Sequence, residues 1–175
     1  HITALNELGG LDALGGPKTD NMFHAGWAWA GSAPYQGTKL MGAYLGGIRQ
    51  PMAVAWPGRI EASSTPRAQF HHVIDIVPTI LEATKIAMPE SLDGIKQRPM
   101  DGVSMAYTWD KSNANAPTRH DTQYFEMLGN RAIYNDGWVA CTTPATIPWA
   151  PSTTPPPDVI TGYKWELYNV AEDFS

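Results

Sequence analysis

Residues 52–56 read Met-Ala-Val-Ala-Trp, a short apolar run closed by Pro51 on one side and by Pro57-Gly58 on the other. An unalternating run of that length suits a strand buried on both faces, the kind found in a mixed or parallel sheet. Residues 75–85, DIVPTILEATK, read as a helix. Asp75 is the expected N-cap, and Pro78 falls in the first turn, where its missing N–H removes no intrahelical bond. Ile76, Val77, Ile80, Leu81 and Thr84 share one face at helical spacing, and Pro89 follows soon after the helix ends. Strand and helix together point to an α/β part.

The stretch ahead of these elements has a different grammar. Residues 1–37 are rich in Gly, Pro, Asn and small residues, which predicts a long irregular loop after a short opening stretch. Long ordered loops in compact domains are usually functional. Phe23, Trp27, Trp29 and Tyr35 lie in this one, and such rings need surfaces to pack on. Beyond residue 100 the pattern turns antiparallel. Residues 131–143, RAIYNDGWVACTT, predict a β-hairpin with an Asn135-Asp136-Gly137 turn, because Asp-Gly tolerates positive φ. A proline-rich loop over 144–157 follows. In residues 163–170 Tyr163, Trp165 and Leu167 alternate with Lys164 and Glu166, as in a further strand. The expected division is an α/β part over residues 1–100 and a small α+β subdomain with an antiparallel sheet over 101–175.

The 175 residues are 43% hydrophobic and 17% charged, which suits a chain that buries a core rather than a disordered tail. The net charge is −5 and Lys and Arg are not clustered, so nucleic acid is not an expected partner. No apolar run approaches the ~18 residues of a membrane span, and no membrane partner is expected. Cys141 is the single cysteine, which rules out an intrachain disulfide and a multi-cysteine metal site. In a hairpin strand it reads as a half-buried hydrophobe. Asp20-Asn21 offers two oxygens without a strand end to carry them. His71-His72 in an extended lead-in point to opposite sides and cannot share a metal, so packing or surface roles are expected. No metal ligand is expected within this chain. There is no Gly-x-Ser-x-Gly elbow, P-loop or dinucleotide fingerprint. His1 lacks an initiator methionine or signal pattern, and the NVAEDFS end lacks punctuation. Both ends read as cuts, so a piece of a larger protein is expected.

Four runs carry a resemblance: GWAWAGSAPYQGTKLMGAYLGGIRQPMAVAWPGRI, FHHVIDIVPTILEATKI, QYFEMLGNRAIYNDGWVA and YKWELYNVAEDFS. In this order and at these spacings they resemble the C-terminal portion of a bacterial arylsulfatase, of the sulfatase family in the alkaline-phosphatase-like superfamily. The resemblance covers nearly the whole chain. It implies that residues 1–100 end a mixed-sheet catalytic domain and that 101–175 are a truncated C-terminal subdomain. It also implies that Lys39, a few residues ahead of a Gly-Gly-x-Arg turn made by Gly46, Gly47 and Arg49, contacts the sulfate of the substrate. A fixed ammonium stabilises charge developing on sulfate oxygens best where water is excluded. Trp27 and Trp29 would flank an aromatic leaving group. Arg49 is expected to anchor the turn by pairing with a buried carboxylate or with carbonyls.

The family's formylglycine nucleophile arises from a Cys/Ser-x-Pro-x-Arg motif. Cys141-Thr-Thr-Pro-Ala departs from it, and no serine fits it. The resemblance places the nucleophile, the calcium ligands and the catalytic histidine upstream of His1. Tyr44 and Leu45 stand where many relatives have His. The implied activity is hydrolysis of an aryl sulfate ester, a small-molecule substrate, by the remainder of the catalytic domain together with this chain. The implied cofactor is calcium. The compartment stays open between cytoplasm and periplasm. Two rivals remain: a phosphomonoester, phosphodiester or phosphonate hydrolase of the same superfamily, and a non-catalytic β-module binding carbohydrate through Trp138, Trp149 and Trp165.

Overall fold

A computed structural model describes residues 2–19, 24–142 and 157–173. The expected loop over 144–157 lies outside the described residues except for Pro157, as do Asp20-Asn21 and Phe23. Where an irregular loop is expected over 1–37, two short helices form: α1 (Ile2–Glu7) and α2 (Ala25–Ser32). In α2, Ala and Trp supply the helix formers, and the His24 ring nitrogen Nδ1 caps the start by accepting the Gly26 N–H at 3.0 Å. Ala33-Pro34 then ends the helix. Neither helix buries a side chain, so both ride on the surface of the described residues.

The run at 52–56 is extended but pairs with no strand among the described residues. Met52, Val54 and Trp56 remain 55%, 46% and 40% exposed. The expectation of a buried strand is overturned for this chain: an apolar strand is buried by neighbours, and the described residues supply none. The predicted helix is present as α4 (Ile76–Thr84), closed by Lys85 in the left-handed region. Its inward face is not the apolar one, however. Thr79 is buried, while Ile76, Val77 and Ile80 are exposed. Ser91–Leu92 (β1) and Ile95–Lys96 (β2) form a two-residue hairpin beyond it.

The rest is a four-stranded antiparallel meander, with β3 (Thr122–Met127), β4 (Asn130–Asn135), β5 (Trp138–Thr142) and β6 (Trp165–Asn169) in spatial order. The molecule is thus mixed α/β, helices followed by antiparallel sheets. The β4–β5 turn is Asp136-Gly137, both at positive φ, as the sequence predicts. Ala132 faces Phe125 on one side and Cys141 on the other, and Val139 faces Tyr134 and Tyr168. Ala132, Val139 and Cys141 form the core with Ala43, which arrives from the segment ahead of α3 (Leu45–Ile48).

That segment, 36–48, positions Lys39. Gly46 donates its N–H to Gln36 O at 2.8 Å, and a Cβ on Gly46 would sit 2.4 Å from both Gln36 O and Gly37 O. A Cβ on Gly47 would sit 2.2 Å from Met41 O. The loop therefore folds onto α3 with backbone against backbone, which any side chain at these two positions forbids. Gly47→Ala should cost about 1–3 kcal/mol by forcing this contact apart. Gly31→Ala, with open space around its Cβ in α2, should be neutral or stabilise by up to about 1 kcal/mol. Urea denaturation of the two variants checks the contrast; equal midpoints would show that the contact yields freely.

Candidate functional site

Lys39 sits at an exposed turn with no hydrogen bond or ion pair to the described residues. The folded-back loop beneath it holds Thr38 and Met41 buried on either side. Its ammonium is thus presented outward from a tightly fixed backbone. Arg49 does not pair with a carboxylate. Its guanidinium lies 4.8 Å from the ring centre of Tyr35, a cation–π contact across the base of the same loop. The pairing expected for Arg49, with a buried carboxylate or with carbonyls, is not made among the described residues, and the contact with Tyr35 stands in its place. Trp27 and Trp29 are on α2, 74% and 40% exposed. Two residues apart on a helix, they point roughly 200° apart, so they do not face each other.

A second constellation has no counterpart in the sequence reading. Asp75 is fully buried. It occupies the N-cap position of α4 but makes no side-chain cap bond there. Its carboxylate turns back instead, accepting the His72 N–H at 2.9 Å and the Val103 N–H at 2.9 Å. His120 Nδ1 lies 2.7 and 2.9 Å from its two oxygens, and His120 Nε2 lies 3.0 Å from Gln123 Oε1. His71 Nδ1 is 3.6 Å away. The approach of Val103 depends on Gly102, where a Cβ would sit 2.2 Å from Ile74 O. Burial alone would raise the Asp75 carboxyl; the two N–H groups and the His120 ring outweigh it, holding it below its ordinary 3.8. His71 and His72 are half-buried, as packing groups. The visible signal was the His72–Asp75 spacing of a capping box. His120 carries none.

Chemically, both Asp75 oxygens and both His120 nitrogens are engaged, while the two ring nitrogens of His71 are buried without a hydrogen-bond partner. No group of three or more His, Cys, Asp or Glu among the described residues could hold a metal. Cys141 is buried and its thiol is pushed up to about 11, first by burial and then by Glu166. It is not a nucleophile. A cleft of about 430 Å³ between Arg59, Glu61, Glu82, Tyr107, Trp109 and Lys111 includes none of the Lys39 loop. Lys111 is paired with Glu61 across it, so its charges largely satisfy one another. Among the described residues, Lys39 is the candidate that faces solvent with an unspent charge on a rigid support.

No family model matches the chain. Among curated proteins, it is 29% identical over 171 residues to an uncharacterized sulfatase of Schizosaccharomyces pombe (strain 972 / ATCC 24843). The match takes in 93% of this chain and 27% of the relative. The chain thus spans about a quarter of the length of the curated relative it matches. At that coarse level the chain is sulfatase-like; the likeness extends neither to a bacterial source nor to aryl esters.

Asp75→Ala should cost roughly 3–5 kcal/mol, since it strips a buried charge from its partners. A cap alone would account for about 0.5–2 kcal/mol. Because its folded carboxyl is depressed, Asp75 contributes stability above the ordinary 3.8 that is lost as pH falls through the folded value. Denaturant midpoints of wild type and Asp75→Ala should therefore converge at low pH. A constant gap would contradict this. Cys141 should resist iodoacetamide at neutral pH until the sheet is unfolded, which mass spectrometry checks.

Proposed function

We propose that this chain is the C-terminal portion of a sulfuric ester hydrolase that cleaves aryl sulfate esters, and that Lys39 binds the sulfate. The likeness to a sulfatase along 93% of the chain supports the reading. An ammonium held at an exposed turn by a backbone-clamped loop supplies the chemistry it needs. In water the lysine would gain little from a sulfate. With solvent excluded by bound substrate and the rest of the protein, a charge that needs no reorganisation stabilises developing negative charge on sulfate oxygens by about 3 kcal/mol. Trp27 or Trp29 would contact the aryl group. They point apart on α2, which favours one stacking partner rather than a clamp.

Neither calcium nor a formylglycine nucleophile fits the described residues: Asp75 is fully engaged, Cys141 is buried, and no cluster offers a ligand set. In this reading both belong to the remainder of the catalytic domain. The exposed apolar residues of 52–56 and of α4 support packing against that remainder. A residue-100 division between the catalytic part and a C-terminal subdomain belongs to the same proposal. A phosphorus ester would be held equally well by Lys39, so the ester itself must be tested.

A carbohydrate-binding sheet is favoured by one observation: Trp138 and Trp165 are 48% and 47% exposed on the outer face. Trp149 lies outside the described residues. This second reading predicts sugar binding that survives Lys39→Ala and is lost in Trp138→Ala.

The deciding experiment measures hydrolysis of an aryl sulfate and of the matching aryl phosphate by the full-length protein. Lys39→Ala should lower kcat/KM for the sulfate about 100-fold or more without moving Tm. Lys39→Arg should restore little, because a planar guanidinium cannot place a compact charge at the same point. Retention of more than about a third of the wild-type kcat/KM in Lys39→Ala would return the residue to the solvated surface. Preference for the phosphate would replace the sulfate reading.

A further inference from the structure

Where the lead-in to α4 meets the sheet, the His120 and His71 rings face the Asp75 carboxylate and the His72 ring lies beside that of His120. His71 and His72 come from the lead-in to α4, and His120 from the residues just ahead of β3. The His72 and His120 rings are 6.2 Å apart. His72 also meets Phe125 of β3 edge-on at 5.4 Å, and Phe70 stacks on Tyr134 of β4 at 3.9 Å. We propose that this junction is an acid-released latch: protonation of His71 and His72 opens the Asp75 cluster and frees α4 from the 103–105 segment and from the sheet while the β-meander stays folded.

The geometry makes each added proton costly. His72 Nδ1 accepts the Ile74 N–H at 3.5 Å, so a proton on that nitrogen removes the acceptor. Both ring nitrogens of His71 are buried without a hydrogen-bond partner. The nearest acceptor for an added proton there is Asp75, 3.6 Å away and already accepting two backbone N–H groups and facing His120. Other groups around the cluster do not relieve it. Tyr107 lies against His71 with ring centres 6.0 Å apart, and Arg119 sits over Tyr107 at 4.2 Å, adding a cation. From β3 come Gln123 and Phe125, and from the lead-in Phe70, none of them charged. Among the described residues Asp75 is the carboxylate that faces these rings, so one negative charge would meet the added charges of both His71 and His72. Like charges at such distances in a half-buried site repel strongly.

Burial lowers both His71 and His72 below the ordinary 6.5, and His120 adds to the lowering, while Asp75 opposes it. Both are therefore neutral in the closed junction at neutral pH. An opened junction binds their protons more readily, so acid below about 6.5 drives opening. The strands of the meander carry no histidine, and Ala132, Val139 and Cys141 at its core are apolar.

Pulsed amide exchange on the full-length protein, corrected for intrinsic rates, reads the latch directly. The reporters are the Val103 and Met105 amides, which donate to Asp75 and to Thr79. Protection there should fall about tenfold or more between pH 7.5 and pH 5, with β4 and β5 changing less than about twofold. In the double variant His71→Gln, His72→Asn, whose Asn side chain can still accept from Ile74, the fall should shrink below about twofold. A wild-type fall below about twofold, equal loss across the meander, or an undiminished fall in the variant would each overturn the latch. If the variant is already open at neutral pH, wild-type ring resonances decide. Midpoints of His71 and His72 that coincide with the loss of Val103 protection support the latch; midpoints apart from it overturn it.

Discussion

A buried carboxylate must be satisfied where it lies, and Asp75 is satisfied by groups that chain order keeps apart. His72 is its neighbour, but Val103 lies beyond the β1–β2 hairpin and His120 stands 45 residues on. Taking one charge out of water thereby determines the course of three segments. Thr79, a turn further along α4, repeats the device with a hydroxyl: it donates to Asp75 O at 2.6 Å and accepts the Met105 N–H at 2.9 Å. Gly102 admits the incoming strand of backbone between them. Aromatic rings then seal the contact from the sheet side.

This polar organisation matters because the apolar core is built from small residues. Ala43, Ala132, Val139 and Cys141 let the 36–48 segment approach the sheet closely but remove modest apolar area from water. Larger side chains stand on both faces, and Phe125, Tyr134 and Tyr168 pack partly buried against this core. Tyr124, Ile133, Ala140 and Leu167 lie side by side across the outer face of the meander, with Leu167 65% exposed. Hydrogen bonds to unique acceptors, rather than bulk burial, give the described residues their specific arrangement.

Much of the local structure was legible in the residues. Asp136-Gly137 announces a tight hairpin, the alternation through Trp165 and Leu167 announces β6, and Asp75 with Pro78 places the start of α4. What failed depended on partners. An apolar pentapeptide at 52–56 says that burial is wanted, not that a neighbour is at hand. The stripe on α4 says which side chains are apolar, not which side meets the protein, and Thr79 turned out to face inward. Helix α2 was hidden because Gly26, Gly31 and Pro34 carry loop signals, while its cap is a histidine ring outside the usual Ser, Thr, Asp and Asn. His120 was silent, since its meaning lies in a contact with Asp75 that no periodicity encodes. The Lys39 loop stood out through family resemblance, and the structure adds how its shape is made.

That shape is written in main-chain atoms. Gly46 and Gly47 rest on the carbonyls of Gln36, Gly37 and Met41, and the bond from Gly46 N–H to Gln36 O closes the loop without a side chain. The exposed side chains between them, Lys39 foremost, are therefore free of any duty in holding the loop's form. Such a segment can exchange its surface residues through evolutionary time, trying one ligand after another, while the point at which position 39 is displayed stays where the two glycines put it.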